Sequence, residues 1–216
     1  MIDLHTHTIL SDGELIPSEL VRRAHVAGYT AIAITDHVDH SNIDRVLEGV
    51  VAVAGVLNRC WDITVIPGVE ITHVPIEVFA DLVRYAREKG ARMVVGHGES
   101  PVEPVIPGTN AAAISAGVDI LAHPGKITLE DAQAASDKGV MLEITARKGH
   151  SGTNAYVLEI ARSVGAGLVL NTDTHAPGDL LTIELRDAIL KGIGCDDTVT
   201  REILCNSEEL VRKART

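Results

Sequence analysis

The sequence is poor in aromatic residues, with one Trp, one Phe and three Tyr among 216 residues. Acidic side chains outnumber basic ones, and the formal net charge is -11 at pH 7. The scarcity of aromatic rings leaves few platforms for base stacking, and the negative charge would repel a phosphate polymer. We therefore expect that the protein is not a dedicated nucleic-acid-binding protein, although a nucleotide or short oligonucleotide is small enough to be a substrate.

The chain also lacks cysteine pairs and long apolar runs. Its three cysteines, Cys60, Cys195 and Cys205, form no close metal-binding pair. Residues 1–7 have no signal-peptide features, and no apolar stretch reaches the length of a membrane span. We expect a single cytoplasmic domain over residues 1–216 with reduced thiols and no membrane association. The sequence carries no indication of an oligomeric state.

Short runs rich in Val, Ile and Ala alternate with amphipathic segments along the whole chain. Strands are predicted near residues 1–5, 30–35, 63–70, 91–96, 118–122, 140–145 and 167–172. These runs are mostly apolar rather than alternating, which is typical of parallel strands covered on both faces. This pattern predicts seven β/α units that form a parallel β/α barrel. A doubly wound open sheet is the alternative, because strand and helix alternation alone does not distinguish the two.

The helices between these strands have clear ends and apolar faces. The first begins at Pro17 and ends at Gly28, and the second carries an apolar stripe from Ile43 to Leu57. Later helices are predicted near 77–89, 109–116, 128–138, 153–164, 180–190 and 198–214.

Histidines and acidic residues follow the predicted strands at their carboxyl ends. These residues are His5, His7, Asp36, His37, Glu70, His97, His123, Asp173 and His175. In a β/α barrel this rim is where functional groups from distant strands converge. We therefore expect the side chains to meet in one pocket.

The spacing of these residues favours divalent metal binding. His5 and His7 are two residues apart, so both imidazoles can face the same side of a strand. Glu70 follows Gly68, where we expect the chain to turn, and its two oxygens could bridge neighbouring ions. A single buried histidine is usually a hydrogen-bonded core residue, but six at one rim would be costly to bury without metal.

Seven short motifs at these positions resemble the polymerase and histidinol phosphatase (PHP) family. They are Asp3-Leu4-His5-Thr6-His7-Thr8, Ser11-Asp12-Gly13, Thr35-Asp36-His37, Gly68-Val69-Glu70, Gly96-His97-Gly98, Ala122-His123-Pro124 and Asp173-Thr174-His175. The seven motifs occur in the order found in the family, and together they span nearly the whole chain. The resemblance implies a distorted (β/α)7 TIM-like barrel, which agrees with the seven units counted above.

The resemblance also implies a trinuclear metal site. One ion would take His5, His7, Glu70 and Asp173, and a second would share Glu70 and add His97 and His123. A third would take His37, His175 and Asp12. Two to three divalent ions are thus expected as cofactors, and Zn, Mn and Fe all suit mixed imidazole and carboxylate ligands.

The family further implies hydrolysis of a phosphoester, in which hydroxide activated by the metals attacks phosphorus. The residues that would act through this water are His5, His7, Glu70, His97, His123 and Asp173. A phosphomonoesterase on a small phosphorylated metabolite such as histidinol phosphate is the leading expectation. The alternatives are a phosphodiesterase or nuclease for nucleotides or short oligonucleotides, an amidohydrolase-type enzyme, and a non-catalytic metal-binding module.

A basic segment after the sixth predicted strand favours phosphate binding. Arg147 could grip phosphate with two parallel donors, and Lys148 and His150 add charge. The alternative is an ordinary solvated loop.

Acidic residues and two further histidines also lie near the predicted site. Glu99 and Glu103 could contact substrate or could orient imidazoles. His40 and His73 follow strand ends and are expected in the substrate pocket.

Replacing Arg147 with Ala should raise the KM for a phosphomonoester, because a phosphate-binding donor pair is lost. Steady-state kinetics of the variant and the wild type measure this change. Unchanged kinetics would assign Arg147 to the solvated loop instead.

Overall fold

Strands and helices alternate along residues 1–215, the part of the chain that the structure, a computed structural model, describes. The strands are β1 (Ile2–Asp3), β2 (Ala31–Ile34), β3 (His37–Val38), β4 (Thr64–Ile71), β5 (Met93–His97), β6 (Ile120–Ala122), β7 (Met141–Thr145) and β8 (Leu168–Asn171). The helices are α1 (Pro17–Val26), α2 (Ile43–Cys60), α3 (Phe79–Glu88), α4 (Thr109–Ala116), α5 (Leu129–Lys138), α6 (Asn154–Val164), α7 (Ile183–Gly192) and α8 (Asp197–Ala214). Apart from β3, these elements lie within a few residues of their predicted positions.

The strands form one parallel sheet in the order β1-β2-β4-β5-β6-β7-β8. Beyond the two outer strands, Thr6 and Thr174 form a parallel bridge. The His7 N–H donates to the Thr174 carbonyl at 2.8 Å, and the Asp173 N–H donates to the His5 carbonyl at 3.0 Å. The sheet is therefore a nearly closed barrel of seven parallel strands, and the alternative of an open doubly wound sheet is wrong.

The apolar character of the strands follows from burial on both faces. In β2, Ala31 and Ala33 belong to the apolar cluster inside the barrel, whereas Ile32 and Ile34 pack against the helices. Successive side chains of a strand point to opposite faces, so both faces need apolar residues when helices surround the sheet.

Helix α1 shows how local sequence sets the element boundaries. Pro17 occupies its first turn, where the missing N–H costs nothing. The helix stops before Gly28, whose φ of 85° is in the left-handed region that favours glycine.

Helix α8 closes the end of the barrel where the strands begin. Its Leu210 and Val211 belong to the same interior cluster as Ala31 and Met93, the first residues of β2 and β5. The opposite rim, where the strands end, carries the predicted polar residues. None of the helices within residues 1–215 combines the length and apolar character that a membrane span requires.

The short strand β3 was not predicted. It pairs with β4 through His37 and Glu70, with the same residue offset as the pairing of Ala31 with Thr64 in β2. Strand β3 is thus a continuation of β2 after an interruption at Thr35 and Asp36. Strand β1, in turn, ends at Asp3 and not at the predicted residue 5.

Gly68 lies inside β4 and not at a turn, which corrects the sequence-based expectation. A Cβ atom at this position would lie 2.6 Å from the Met93 carbonyl oxygen and 2.9 Å from both Met93 Cβ and Thr35 Cγ2. The glycine is therefore required by the close approach of neighbouring strands, two residues before Glu70.

Replacing Gly68 with Ala should lower the free energy of unfolding by about 1–3 kcal/mol, because the new methyl group meets backbone atoms that have no room to shift. Urea denaturation measures the loss. Gly192→Ala is the matched control, since a Cβ there has no neighbour within 4 Å. Equal stability of the two variants would contradict the steric argument.

Candidate metal centre

All nine predicted metal ligands lie at the rim where the barrel strands end. The structure places them in groups whose ligand atoms lie within 4.8 Å of one another. The groups are His5, His7 and Glu70; His5, His123 and Asp173; Glu70, His97 and His123; and His7, Asp12, His37 and His175. Shared members join the groups into one continuous cluster.

Glu70 is the centre of this cluster. Its side chain is fully buried, and its Oε2 lies 3.2 Å from His5 Nε2, 3.5 Å from His7 Nε2 and 2.8 Å from His37 Nδ1. Its Oε1 lies 3.7 Å from His123 Nε2. The two oxygens thus face different imidazoles, as a bridging carboxylate requires.

Asp173 faces the same imidazoles from the last strand. Its Oδ1 lies 3.1 Å from His7 Nε2 and 3.8 Å from His5 Nε2. Asp173 and His123 have φ values of 54° and 26°, which are unusual for residues with a Cβ. Such conformations cost about 1–3 kcal/mol each and cluster at functional sites.

Asp12 lies at the most exposed side of the cluster, and its side chain is 57% accessible. Its Oδ1 is 3.2 Å from His175 Nε2 and 3.7 Å from His37 Nε2. The structure therefore brings together the three residues predicted for a third ion. His7 joins them through Nδ1, at 4.0 Å from Asp12 Oδ1, which the sequence did not indicate.

Several buried polar atoms in this cluster have no hydrogen-bond partner among the described residues. They are His5 Nε2, both ring nitrogens of His7, both carboxylate oxygens of Glu70, His123 Nδ1 and Asp173 Oδ1. Burying such atoms unpaired is costly, and buried polar groups are normally satisfied. Imidazole nitrogens and carboxylate oxygens are ligands of Zn, Mn and Fe. The residues present therefore fit divalent metal ions.

Hydrogen bonds outside the cluster orient three of the imidazoles. His97 Nδ1 lies 3.1 Å from the Gly98 carbonyl, and His175 Nδ1 lies 2.8 Å from the Asp173 carbonyl. His5 Nδ1 lies 2.8 Å from Glu143 Oε2. Because a carbonyl only accepts, Nδ1 of His97 and His175 must carry the proton. In the neutral form of each ring, Nε2 is then the atom with the lone pair, which is the usual arrangement of a metal-binding histidine.

Glu143 is the functional residue that sequence reasoning missed. It lies in β7, is fully buried, and its Oε2 also accepts from Asn171 Nδ2 at 3.0 Å. Its Oε1 accepts from the backbone N–H of His123 at 3.3 Å. A single charged residue within the apolar strand Met141–Thr145 was the sequence pattern that could have revealed it.

The electrostatics show why the cluster favours cations. Burial disfavours charge on Glu70, but the His5 and His37 imidazoles outweigh it and hold the pKa of this carboxyl well below its usual range. Burial raises the pKa of Asp173 to about 7, against the attraction of His5 and with added repulsion from Glu70. The two acids differ because Asp173 is also repelled by the carboxylates of Glu70 and Glu143. A divalent cation between them would favour the ionised form of both.

Asp36 holds the loop that carries Asp12. Its Oδ1 accepts from the N–H groups of Thr8 and Ser11 at 2.7 and 3.0 Å and from Ser11 Oγ at 2.7 Å. Its Oδ2 accepts from Thr8 Oγ1 at 2.8 Å. This fully buried carboxylate is thus occupied with backbone and hydroxyl donors and belongs to none of the metal-binding groups.

The basic segment after β7 borders the cluster. Arg147 Nε lies 3.9 Å from Asp173 Oδ2, and its Nη1 donates to the Asp173 carbonyl and to Asp179 Oδ2. His150 is buried, and its ring stacks on that of His123 at a centroid distance of 4.4 Å. Lys148 is exposed between them.

Two of the predicted substrate-binding residues lie elsewhere. Glu99 Oε1 accepts from the N–H groups of Gly108 and Asn110 at 2.9 and 3.0 Å, so the carboxylate caps the start of α4. His40 is exposed and lines a groove between α2 and α3 with Asp81 and Tyr85. The carboxylate of Glu99 thus caps a helix and His40 lies at the surface, and the substrate contacts of both residues stay predictions.

Comparison with known proteins places this architecture in a family. A family model described as PHP domain matches residues 3–116, just over half of the chain. Protein MJ1295 of Methanocaldococcus jannaschii, described as uncharacterized, is 50% identical over 194 residues, which cover 89% of this chain and 89% of that protein. A 5'-3' exoribonuclease of Haemophilus influenzae is 39% identical over 70 residues, which cover 32% of this chain and 23% of that protein.

Solved structures share the fold at low sequence identity. A chain in the cryo-EM structure of archaeal ribonuclease P with mature tRNA aligns with a TM-score of 0.73 and 16% identity, over 99% of this chain and 91% of that chain. A candidate histidinol phosphatase, hisK from Listeria monocytogenes, aligns with a TM-score of 0.60 and 11% identity, over 83% of this chain and 97% of that chain. At these identities the likeness concerns the fold alone.

A nearly closed parallel barrel with buried imidazoles and carboxylates at its carboxyl rim is an arrangement of metal-dependent hydrolases. Within that class, the family match shows that the chain belongs to the PHP-domain family. His123, Asp173 and His175 lie beyond the matched segment, and the barrel brings them to the cluster.

Replacing Glu143 with Gln should weaken divalent metal binding by about 10- to 100-fold, because His5 loses the anionic partner that orients it and increases its basicity. Isothermal titration of the metal-stripped protein with Mn²⁺ measures the affinity. Glu159→Gln, at an exposed position on α6, is the control. Equal affinities for the two variants would show that Glu143 does not support the metal centre.

Proposed function

We propose that the protein is a metal-dependent phosphoester hydrolase, and most specifically a phosphomonoesterase for a small phosphorylated metabolite. The observation that carries this proposal is the continuous cluster of nine imidazole and carboxylate side chains with seven buried, unpartnered ligand atoms. Arg147 beside this cluster supports a phosphate group as the part of the substrate that is bound.

Divalent ions held by His5, His7, Asp12, His37, Glu70, His97, His123, Asp173 and His175 would supply Lewis-acid chemistry and lower the pKa of coordinated water. Two to three ions of Zn, Mn or Fe are the proposed cofactors. Glu143, Gly98 and the Asp173 carbonyl keep the imidazoles in the orientation that this binding needs.

The position of Arg147 suits a role in holding the phosphate. Its side chain is 31% accessible, and both of its hydrogen bonds in the described chain use Nη1. Nη2 is therefore free to donate to a phosphate oxygen close to Asp173. The guanidinium is also fixed by Asp179, which reduces the side-chain freedom lost when a substrate binds.

The way into the cluster lies on the side of Asp12. His5 and Glu70 are fully buried, whereas His37 and Asp12 are 26% and 57% accessible. A substrate phosphate would therefore approach past Asp12, and the buried residues would exclude bulk water from the reacting bond.

A phosphodiesterase or nuclease for nucleotides or short oligonucleotides is the second candidate. The match to a 5'-3' exoribonuclease favours it, although the match covers 32% of this chain. The net charge of -11 and the few aromatic residues favour a small substrate over a long nucleic acid.

An amidohydrolase-type enzyme is less well supported. Such enzymes usually hold their metals with a carboxylated lysine after the fourth barrel strand, whereas here that strand, β5, ends at His97 with no lysine beside it. A non-catalytic metal-binding module is disfavoured because the full set of nine ligands is present. The proposed location is the cytoplasm, with small phosphorylated molecules as partners.

A panel of phosphomonoesters, including histidinol phosphate and nucleotides, and of phosphodiesters should show metal-dependent hydrolysis, with monoesters preferred. Release of phosphate or alcohol is measured with Mn, Zn and Fe added in turn to metal-stripped protein. His5→Ala should abolish turnover of every substrate in the panel, because this imidazole faces both Glu70 and Asp173.

Preference for diesters would replace the first candidate by the second. Full activity of the His5→Ala variant, or activity that persists after the metal is removed, would place the chemistry outside the cluster.

A further inference from the structure

Glu103 and His73 lie beside the metal centre but outside its nine residues. Glu103 Oε2 is 3.0 Å from His97 Nε2 and 3.2 Å from His73 Nε2. The ligand atoms of His73, His97 and Glu103 all lie within 4.8 Å of one another. This group therefore has the geometry of a metal site and touches the cluster through His97.

The tautomer of His97 makes this contact informative. Its Nδ1 donates to the Gly98 carbonyl, so Nε2 is the ring nitrogen that faces Glu103. The Glu103 Oε2 atom lies 3.0 Å from this nitrogen. An imidazole nitrogen and a carboxylate oxygen at this separation can share one cation. A metal ion at His97 Nε2 would attract the Glu103 carboxylate as well.

The surrounding structure holds both residues in place. His73 has a φ of 52°, a conformation that a residue with a Cβ adopts only when its surroundings impose it. The other oxygen of Glu103, Oε1, lies 3.4 Å from His150 Nε2, and His150 Nδ1 lies 2.6 Å from Ser100 Oγ. Glu103 is thus fixed from two sides rather than free in solvent.

His97 has a single nitrogen to offer, since Nδ1 is used by Gly98. A separate ion at His73, His97 and Glu103 would compete for Nε2 with the ion at Glu70, His97 and His123. An ion on Nε2 of His97, held also by Glu70 and His123, would lie next to Glu103 Oε2, which is 3.0 Å from that nitrogen. We propose that Glu103, positioned by His73, is a further ligand of the ion held by Glu70, His97 and His123. This inference rests on the metal-dependent function proposed above.

The proposal gives the segment from Glu99 to Gly108 a role in metal binding. At one end of the segment, Glu99 accepts hydrogen bonds from the start of α4. In its middle, Glu103 would coordinate the ion. The additional negative ligand would increase the affinity for that ion and lower the net positive charge of the ion with its ligands.

The test is a metal titration of the stripped, full-length protein with Mn²⁺ by isothermal calorimetry, together with elemental analysis of the bound ions. Glu103→Gln keeps the size of the side chain and removes its charge. We expect this variant to bind one ion about 10- to 100-fold more weakly than the wild type while its other sites are unchanged. Glu103→Asp, which keeps a carboxylate, should restore part of the affinity.

Glu77→Gln, at an exposed position before α3, is the matched control and should titrate like the wild type. Circular dichroism of the metal-free proteins should show equal folding for all of them.

Wild-type affinities and ion counts in Glu103→Gln would overturn the assignment of Glu103 and leave the proposed function intact. A raised KM in Glu103→Gln with unchanged metal affinity would also overturn it, because Glu103 would then contact the substrate. Absence of metal binding by the wild type would instead refute the proposed function together with this inference.

Discussion

A carboxylate buried among imidazoles is the constraint on which the rest of this structure depends. Glu70 has no exposure to solvent, and within residues 1–215 its oxygens face imidazoles without a well-aligned hydrogen bond, yet these neighbours hold it in the ionised form. Such a group would be strongly unfavourable in a protein core without positive charge nearby. The barrel satisfies it by bringing histidines from the ends of several strands to the same point. The left-handed backbone at Asp173 and His123 and the glycine at position 68 support this convergence.

Much of this arrangement could be predicted from the sequence because it follows from topology. Parallel strands that are apolar on both faces predict a barrel or an open sheet. In a barrel, residues at successive strand ends must meet. His97 and Asp173 are far apart in the chain, but each lies at the carboxyl end of a strand, and that was enough to place them together. The closure of the barrel was not set by the pattern, because it depends on the bridge between Thr6 and Thr174.

The residues that sequence reasoning misplaced or missed depend on side-chain direction, which strand periodicity does not specify. Glu143 points into the barrel from the middle of a strand, where an acidic residue is uncommon. Glu99 turns towards the start of α4, whereas Glu103, four residues later, turns towards His97. Both belong to one loop, and no local rule distinguishes a carboxylate that caps a helix from one that faces a metal centre. Strand β3 was missed because it is two residues long, although it continues the register of β2.

The bridge that joins the first strand to the last also has a consequence for the order of events during synthesis. His5 and His7 are translated long before Asp173 and His175. These side chains become neighbours when Thr6 meets Thr174, a contact of very large sequence separation that forms slowly in folding. A nascent chain therefore holds an incomplete set of donors until residues 173–175 have been synthesised. The complete set of donors is consequently a property of the closed barrel and not of any contiguous segment of the chain.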